Sequence, residues 1–165
     1  MDAFFDLVSP RTFWRVLLFL HFVMAVVLLA AVTLQTVAIL MPVRQAAGNF
    51  VTRVRAVSPS SYVVLITILY VPTFLLGAWV YIKYRTYVRI PMEQLGHWWT
   101  VGTFEFKEHI VSMGMGLLPA YWYVWRHPSE EYANVRKWLT IFLAVSVWYS
   151  FLVGHTANDF RGVGS

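Results

Sequence analysis

The chain of 165 residues contains no cysteine, which excludes disulfides, iron–sulfur clusters and thiolate metal sites. Charge is scarce: Asp, Glu, Lys and Arg make up 13% of the residues, against roughly 25% in soluble domains. No Walker motif, dinucleotide fingerprint, H-E-x-x-H or G-x-S-x-G sequence occurs, and no nucleic-acid recognition signature is present. These absences argue against nucleotide-using enzymes, hydrolases and nucleic-acid binders.

Apolar residues, in contrast, are abundant. Hydrophobic residues account for 59% of the chain and aromatic residues for 18%, so the composition predicts an integral membrane protein with the lipid bilayer as its first partner. The formal net charge of +5 fits anionic lipid headgroups better than nucleic acid. The first apolar run is too long for the core of a secretory signal, and we interpret it as a retained helix.

Four apolar segments are long enough to cross the bilayer, which takes roughly 20 helical residues. Backbone groups in lipid must pair within the protein, and no alternating strand pattern is present. The sequence therefore predicts one all-α domain, 1–165, built as a four-helix transmembrane bundle. The predicted spans are 13–41, 61–84, 104–125 and 135–157, and Ser129 is predicted to cap the start of the last helix.

Two connecting segments, 50–57 and 90–102, have patterns that fit either short helices at the membrane surface or plain surface loops. An even number of spans places both termini on one face, which we assign to the cytoplasmic side of a bacterial inner membrane. The basic residues divide almost evenly and do not decide this orientation. One face has Arg11, Arg15, Lys83, Arg85, Arg89, Lys107 and Arg161; the other has Arg44, Arg53, Arg55, Arg126, Arg136 and Lys137.

The start of the third predicted span is unusually polar. Its sequence, GTFEFKEHIVSMGMG, includes Glu105, Lys107, Glu108 and His109. A charged side chain costs about 2.5–3.5 kcal/mol at a helix centre on insertion scales, so such residues usually pair inside the bundle or serve function. Lys107 is expected to extend outward toward the membrane surface and to neutralise a nearby acid.

Three histidines are predicted to lie at a common depth. His21 follows the start of the first span by about two turns, His109 lies near the start of the third, and His155 lies near the end of the fourth. With a rise of 1.5 Å per residue, each is roughly 8–10 Å from the same membrane face. Imidazoles from three helices are therefore expected to converge in one layer.

The neighbours of these histidines favour a binding site. Glu105 precedes His109 by four residues and Asp159 follows His155 by four, so each pair shares a helix face. Small residues close to the histidines would let a flat ligand or another helix approach. These are Gly114, Gly116 and Gly154.

The first hypothesis is a b-type haem held between helices for electron transfer, with quinone or a redox protein as partner. His109 would pair with His155 or with His21, and the sequence does not choose between them. Glu105 or Asp159 would orient a ligand ring or handle protons. If the chain belongs to an enzyme, it would be a subunit of a membrane oxidoreductase.

The second hypothesis is a bare copper, zinc or iron site with nitrogen and oxygen ligands. Its candidate ligands are His21, Glu105, Glu108, His109, His155 and Asp159.

The third hypothesis requires no cofactor. The polar groups would then hydrogen-bond between helices, and the chain would be a structural subunit of a larger membrane complex or a homo-oligomer. Gln35, near the far end of the first span, is expected to bond to another helix in any of the three cases.

Overall fold

The computed structural model describes residues 9–42, 53 and 56–160, with side chains up to residue 156. Among these residues it contains helices and no strands, so the all-α prediction is confirmed. The α-helices are α1 (Pro10–Leu40), α2 (Tyr62–Tyr84), α3 (Ile90–Gln94), α4 (Trp98–Arg126) and α5 (Ala133–Phe160). Two 3₁₀ turns, Pro59–Ser61 and Glu130–Tyr132, precede α2 and α5, and a π-helical stretch, Arg85–Arg89, joins α2 to α3.

Three helical segments are long and apolar enough to cross a membrane: Pro10–Leu40, Pro59–Gln94 and Glu130–Thr156. They correspond to the first, second and fourth predicted spans; the first and fourth predictions extend one residue beyond the end of their segments. The third, 104–125, lies within α4, which has 29 residues but is too polar to join this group. Membrane association is thus supported by three helices.

Helix ends follow local sequence signals. Ser9 caps α1, its Oγ accepting a hydrogen bond from the Thr12 amide at 3.2 Å, and Pro10 occupies the first helical position. The predicted cap Ser129 is confirmed, because its Oγ accepts from the Glu131 amide at 3.1 Å. Gly96 has φ of 77°, a left-handed conformation that suits glycine, and it lets the chain turn between α3 and α4.

Segment 90–102 therefore contains α3 and the start of α4 instead of a continuous loop. Segment 50–57 lies mostly outside the described residues. Of the two predictions of short surface helices, the structure therefore describes only the segment 90–102 in full.

The four long helices form a ring in which each packs mainly against two others. Helix α1 packs against α2 and α5, and α4 packs against the same two helices, so α1 and α4 lie diagonally opposite. The buried core between them combines aliphatic and aromatic side chains. Its most buried members include Val32, Ile66, Tyr70, Tyr121 and Leu143.

A buried hydrogen-bonded pair joins the diagonal helices at the end of the bundle remote from the termini. The Tyr121 hydroxyl of α4 donates to Oε1 of Gln35 on α1 at 2.7 Å, and Nε2 of Gln35 donates to the Pro59 carbonyl at 3.0 Å. Gln35 and Tyr121 are fully buried. The expected partner for Gln35 on another helix is confirmed.

A second tyrosine joins α2 to α4 nearer the middle of the bundle. The Tyr70 ring of α2 lies directly over Gly114 of α4, and its hydroxyl donates to the Val111 carbonyl at 3.0 Å. A Cβ at residue 114 would overlap the hydroxyl and lie 2.9 Å from Cζ. Gly114 thus makes room for Tyr70, instead of for a ligand, and this contact fixes the rotation of α4.

Replacing Gly114 with alanine should therefore destabilise the bundle. We expect Gly114→Ala to lower the free energy of unfolding by about 1–3 kcal/mol, the usual cost of overpacking a core. Gly116→Ala is the matched control, because a Cβ there meets no described atom within 4 Å. Reversible denaturation in detergent, followed by circular dichroism, measures both; equal stability of the two variants would contradict the contact.

Candidate functional site

One large cavity lies inside the bundle, in the half where α1 begins and α5 ends. Its volume is about 440 Å³, within the range of about 300–1,000 Å³ found for small-molecule and cofactor sites. All four long helices line it. Phe19 and Phe22 of α1 also line it while remaining 64% and 46% exposed, so the cavity reaches the outer surface beside α1.

Ionisable side chains line this otherwise apolar cavity. They come from three helices: Arg15 and His21 from α1, Lys107 and Glu108 from α4, and His155 from α5. Their positions place this polar group close to the end of the bundle at which α1 begins and α5 ends. The cavity thus has a charged end and an apolar, aromatic remainder, which suits an amphipathic molecule.

Lys107 and Glu108 form an ion pair with a 2.8 Å contact between Nζ and Oε1. The Lys107 side chain is 12% exposed, and its Nζ lies 4.1 Å from the centre of the Phe104 ring. The two opposite charges and the aromatic face compensate each other's burial.

Three buried polar atoms find no hydrogen-bond partner among the described residues: His21 Nδ1, Thr73 Oγ1 and Ser150 Oγ. All three residues line the cavity. Buried polar atoms in proteins are nearly always satisfied by protein, water or ligand. Their grouping leaves three hydrogen-bonding atoms on the wall of one cavity without a described protein partner.

The backbone of α2 positions the His21 ring. A Cβ at Gly77 would lie 3.0 Å from Cε1 of His21, closer than side chains normally approach. The Cε1 side of the imidazole therefore packs closely against this glycine of the neighbouring helix. A larger residue at position 77 would require the ring to shift.

His155 lies on the other side of the cavity, on α5. Its ring is nearly parallel to that of Phe151, with centroids 6.4 Å apart and 9° between the planes. Phe151 in turn meets Phe22 of α1 at 6.1 Å. Gly154 lines the cavity and a Cβ there would enter open space, as expected if this glycine leaves room for a ligand.

His109 lies elsewhere. It is exposed on the outer surface of α4 and does not line the cavity. Its Nδ1 donates to the backbone carbonyl of Glu105 at 2.7 Å, so the predicted pairing with the Glu105 carboxylate is not formed. Of the three histidines predicted to converge, His21 on α1 and His155 on α5 line this cavity.

Glu105 has a different set of partners. Its Oε1 accepts a hydrogen bond from the Tyr81 hydroxyl at 2.9 Å and contacts Nη1 of Arg89 at 3.2 Å. Arg89 also binds Glu93, with 2.7 Å between Nε and Oε1. This network ties α4 to α2, the π-helical stretch and α3, so Glu105 serves helix packing.

The rotation of α4 explains these placements. Its inward stripe continues from Gly114 through Val111 to Lys107 and Phe104, at helical spacings of three and four. Lys107 therefore points into the bundle, and the expectation that it extends outward is wrong. The expectation that it neutralises a nearby acid is confirmed by its pair with Glu108.

A bare-metal centre finds little support in these positions. No group of three His, Asp or Glu residues close enough to hold an ion occurs in the part of the chain that the structure describes. Asp159 lies beyond the described side chains.

Sequence reasoning missed several residues of the cavity. Arg15, Thr73, Gly77 and Ser150 line it without belonging to any recognisable motif. The only available signal was spacing: Arg15 lies six residues before His21 on α1, and Gly77 follows Thr73 by one turn on α2. Neither spacing reveals which neighbour the side chain faces.

Removing the Glu105 carboxylate should weaken helix packing. We expect Glu105→Ala to lower the free energy of unfolding by about 1–3 kcal/mol, since Tyr81 and Arg89 lose their shared acceptor. His109→Ala, one turn away and exposed, should change it by less than about 0.5 kcal/mol. Denaturation of the purified variants measures both changes. A larger loss of stability in His109→Ala than in Glu105→Ala would contradict the packing role of Glu105.

Comparison with known proteins adds no relative. No protein-family model, no curated protein and no solved structure matches this chain. Function is therefore inferred from the residues and geometry described above.

Proposed function

We propose that this protein is a four-helix transmembrane bundle that binds a b-type haem in its cavity, with His21 and His155 as the axial ligands. The observation that carries the proposal is the presence of two imidazoles, from different helices, on the walls of one cavity. Imidazole is a common axial ligand of haem iron, and helical bundles commonly hold cofactors between their helices. When bound, the haem supplies one-electron transfer.

The electrostatics of the cavity support this ligand. Arg15 supplies positive charge at the same end of the cavity as the Lys107–Glu108 ion pair, and the propionate carboxylates of a haem would be best accommodated beside Arg15. The apolar and aromatic remainder excludes water and suits a porphyrin face. Nδ1 of His21 has no hydrogen-bond partner among the described residues.

The same features support α4 as a fourth membrane crossing. Of its charged groups, Lys107 and Glu108 pair at the cavity, while Glu105 is held by Tyr81 and Arg89. Charges that are paired and turned toward the bundle interior are the kind that membrane helices tolerate. A helix of 29 residues is long enough for the span.

The cellular setting belongs to the same proposal. Four crossings place both termini on one face, and we assign that face to the cytoplasmic side of a bacterial inner membrane. Because the cavity reaches the outer surface beside α1, a quinone dissolved in the bilayer is a suitable electron partner. Oxidation of the corresponding quinol would yield the quinone, two protons and two electrons; these electrons would pass one at a time through a bound haem to a partner redox protein.

One observation favours a second candidate. Thr73 and Ser150 contribute hydroxyls without described partners, and hydroxyls are hydrogen-bonding groups more than haem ligands. A quinone-type molecule bound alone, with its head group near His21 and these hydroxyls, would satisfy them. In that case the protein would be colourless and would retain an extractable lipophilic carrier.

Histidine substitutions test the haem proposal. The protein purified from haem-replete cells should be red, with a Soret band and sharpened visible bands on reduction. His21→Ala and His155→Ala should each lower haem content by at least about tenfold. Haem quantified per chain by its pyridine haemochrome spectrum is the measurement.

His109→Ala is the matched control, because this histidine is at a similar predicted depth but lies outside the cavity. It should retain its haem. A colourless wild-type protein, or a loss of haem in His109→Ala equal to that in His21→Ala, would overturn the proposed ligands.

A further inference from the structure

A second pocket, of about 520 Å³, lies at the opposite end of the bundle from His21 and His155. It is bounded by the start of the helical segment Pro59–Gln94 on one side and by the α4–α5 connection on the other. Two arginines, Arg126 and Arg136, line it. Neither the haem proposal nor its alternative uses this pocket.

Aromatic rings hold both arginines in place. The guanidinium of Arg126 lies 4.4 Å from the Trp122 ring centre, and that of Arg136 lies 5.9 Å from the ring centre of Trp125. Nη1 of Arg136 also donates to the Ser129 carbonyl at 2.8 Å. Most of the donors on each guanidinium remain available, since such a group carries five N–H bonds.

Hydroxyl groups line the facing wall. Ser58, Ser60 and Ser61 line the pocket at the start of the Pro59–Gln94 segment, where backbone amides also carry partial positive charge. Val63 and Val64 add an apolar surface toward the membrane interior. The pocket thus combines two guanidinium groups with three serine hydroxyls, of which those of Ser58 and Ser60 hydrogen-bond to each other at 2.8 Å, and with an adjoining apolar wall.

We propose that this pocket binds a net-anionic phosphate group, and that its source is the headgroup of an anionic phospholipid. Guanidinium groups bind phosphate oxygens through paired hydrogen bonds. Tryptophans at the same level are typical of the membrane interface, where lipid headgroups lie. The apolar wall next to the cations matches the acyl chains that a phospholipid carries and free phosphate lacks.

Native mass spectrometry of the full chain in detergent, with phosphatidylglycerol or phosphatidylcholine added, tests the site. We expect wild type to retain one phosphatidylglycerol more strongly than phosphatidylcholine. Arg126→Gln and Arg136→Gln should each weaken retention by about fivefold. Arg126→Gln leaves the Arg136–Ser129 hydrogen bond in place, so at least one variant should keep the native fold, as circular dichroism would verify.

Lys137→Gln is the matched control, because Lys137 is an exposed cation on the same face that does not line the pocket. It should bind like wild type. Equal loss in all three variants, equal retention of the two lipids, or no retention by folded wild type would overturn the lipid assignment.

Inorganic phosphate tests whether the pocket binds free phosphate instead of a phospholipid headgroup. If it raises the melting temperature of wild type but not of Arg126→Gln, while phosphatidylglycerol is not retained, the site binds free phosphate. If neither probe binds in a way that depends on these arginines, the phosphate site itself is refuted. None of these outcomes depends on haem.

Discussion

The absence of water from a bilayer interior is the constraint on which the bundle depends. We propose that α4 crosses the membrane; it carries Glu105, Lys107 and Glu108 within four residues, and in hydrocarbon none of these charges can remain unpaired at low cost. In the structure these charged groups have two separate sets of partners. Glu105 binds Tyr81 and Arg89 at the α2 side, while Lys107 and Glu108 pair beside the cavity. The Glu105 contacts require α2 and the π-helical stretch, so they favour assembly of α4 with its neighbours, whereas the Lys107–Glu108 pair forms within α4 itself.

Two tyrosines provide the complementary steric constraint. Tyr70 fits only because residue 114 is glycine, and Tyr121 fits because Gln35 supplies an acceptor. One contact joins neighbouring helices and the other joins diagonal helices, so together they limit both the rotation and the sliding of α4. In lipid, where hydrophobic burial gives no net drive to associate, close packing and interhelical hydrogen bonds of this kind carry the specificity.

Much of the architecture could be predicted from the sequence, because it depends on local signals. Long apolar runs gave the helices, Ser129 gave a cap, and a lone Gln35 in an apolar run implied a partner. Helix rotation could not be predicted. The long helices are apolar around much of their circumference, so hydrophobic periodicity does not indicate which face is inward.

That missing rotation is why His109 and Lys107 were placed incorrectly relative to the bundle interior, although their depth and helix were predictable. The inward face of α4 is decided by the contact between Tyr70 and Gly114, residues 44 positions apart. The composition of the cavity wall also depends on how the helices are rotated. Thr73, Gly77 and Ser150 are unremarkable in the sequence, and they acquire a role only where α2 and α5 meet α1.

The π-helical stretch Arg85–Arg89 has a consequence for how this fold tolerates change in chain length. A π turn holds one residue more than an α turn, as an inserted residue absorbed without breaking the helix would. Deleting one residue there would restore regular winding, and the helix beyond would keep close to its present phase relative to α2, because the π turn already absorbs the extra residue. A homologous chain one residue shorter would therefore connect the same helices and keep α3 beside α4.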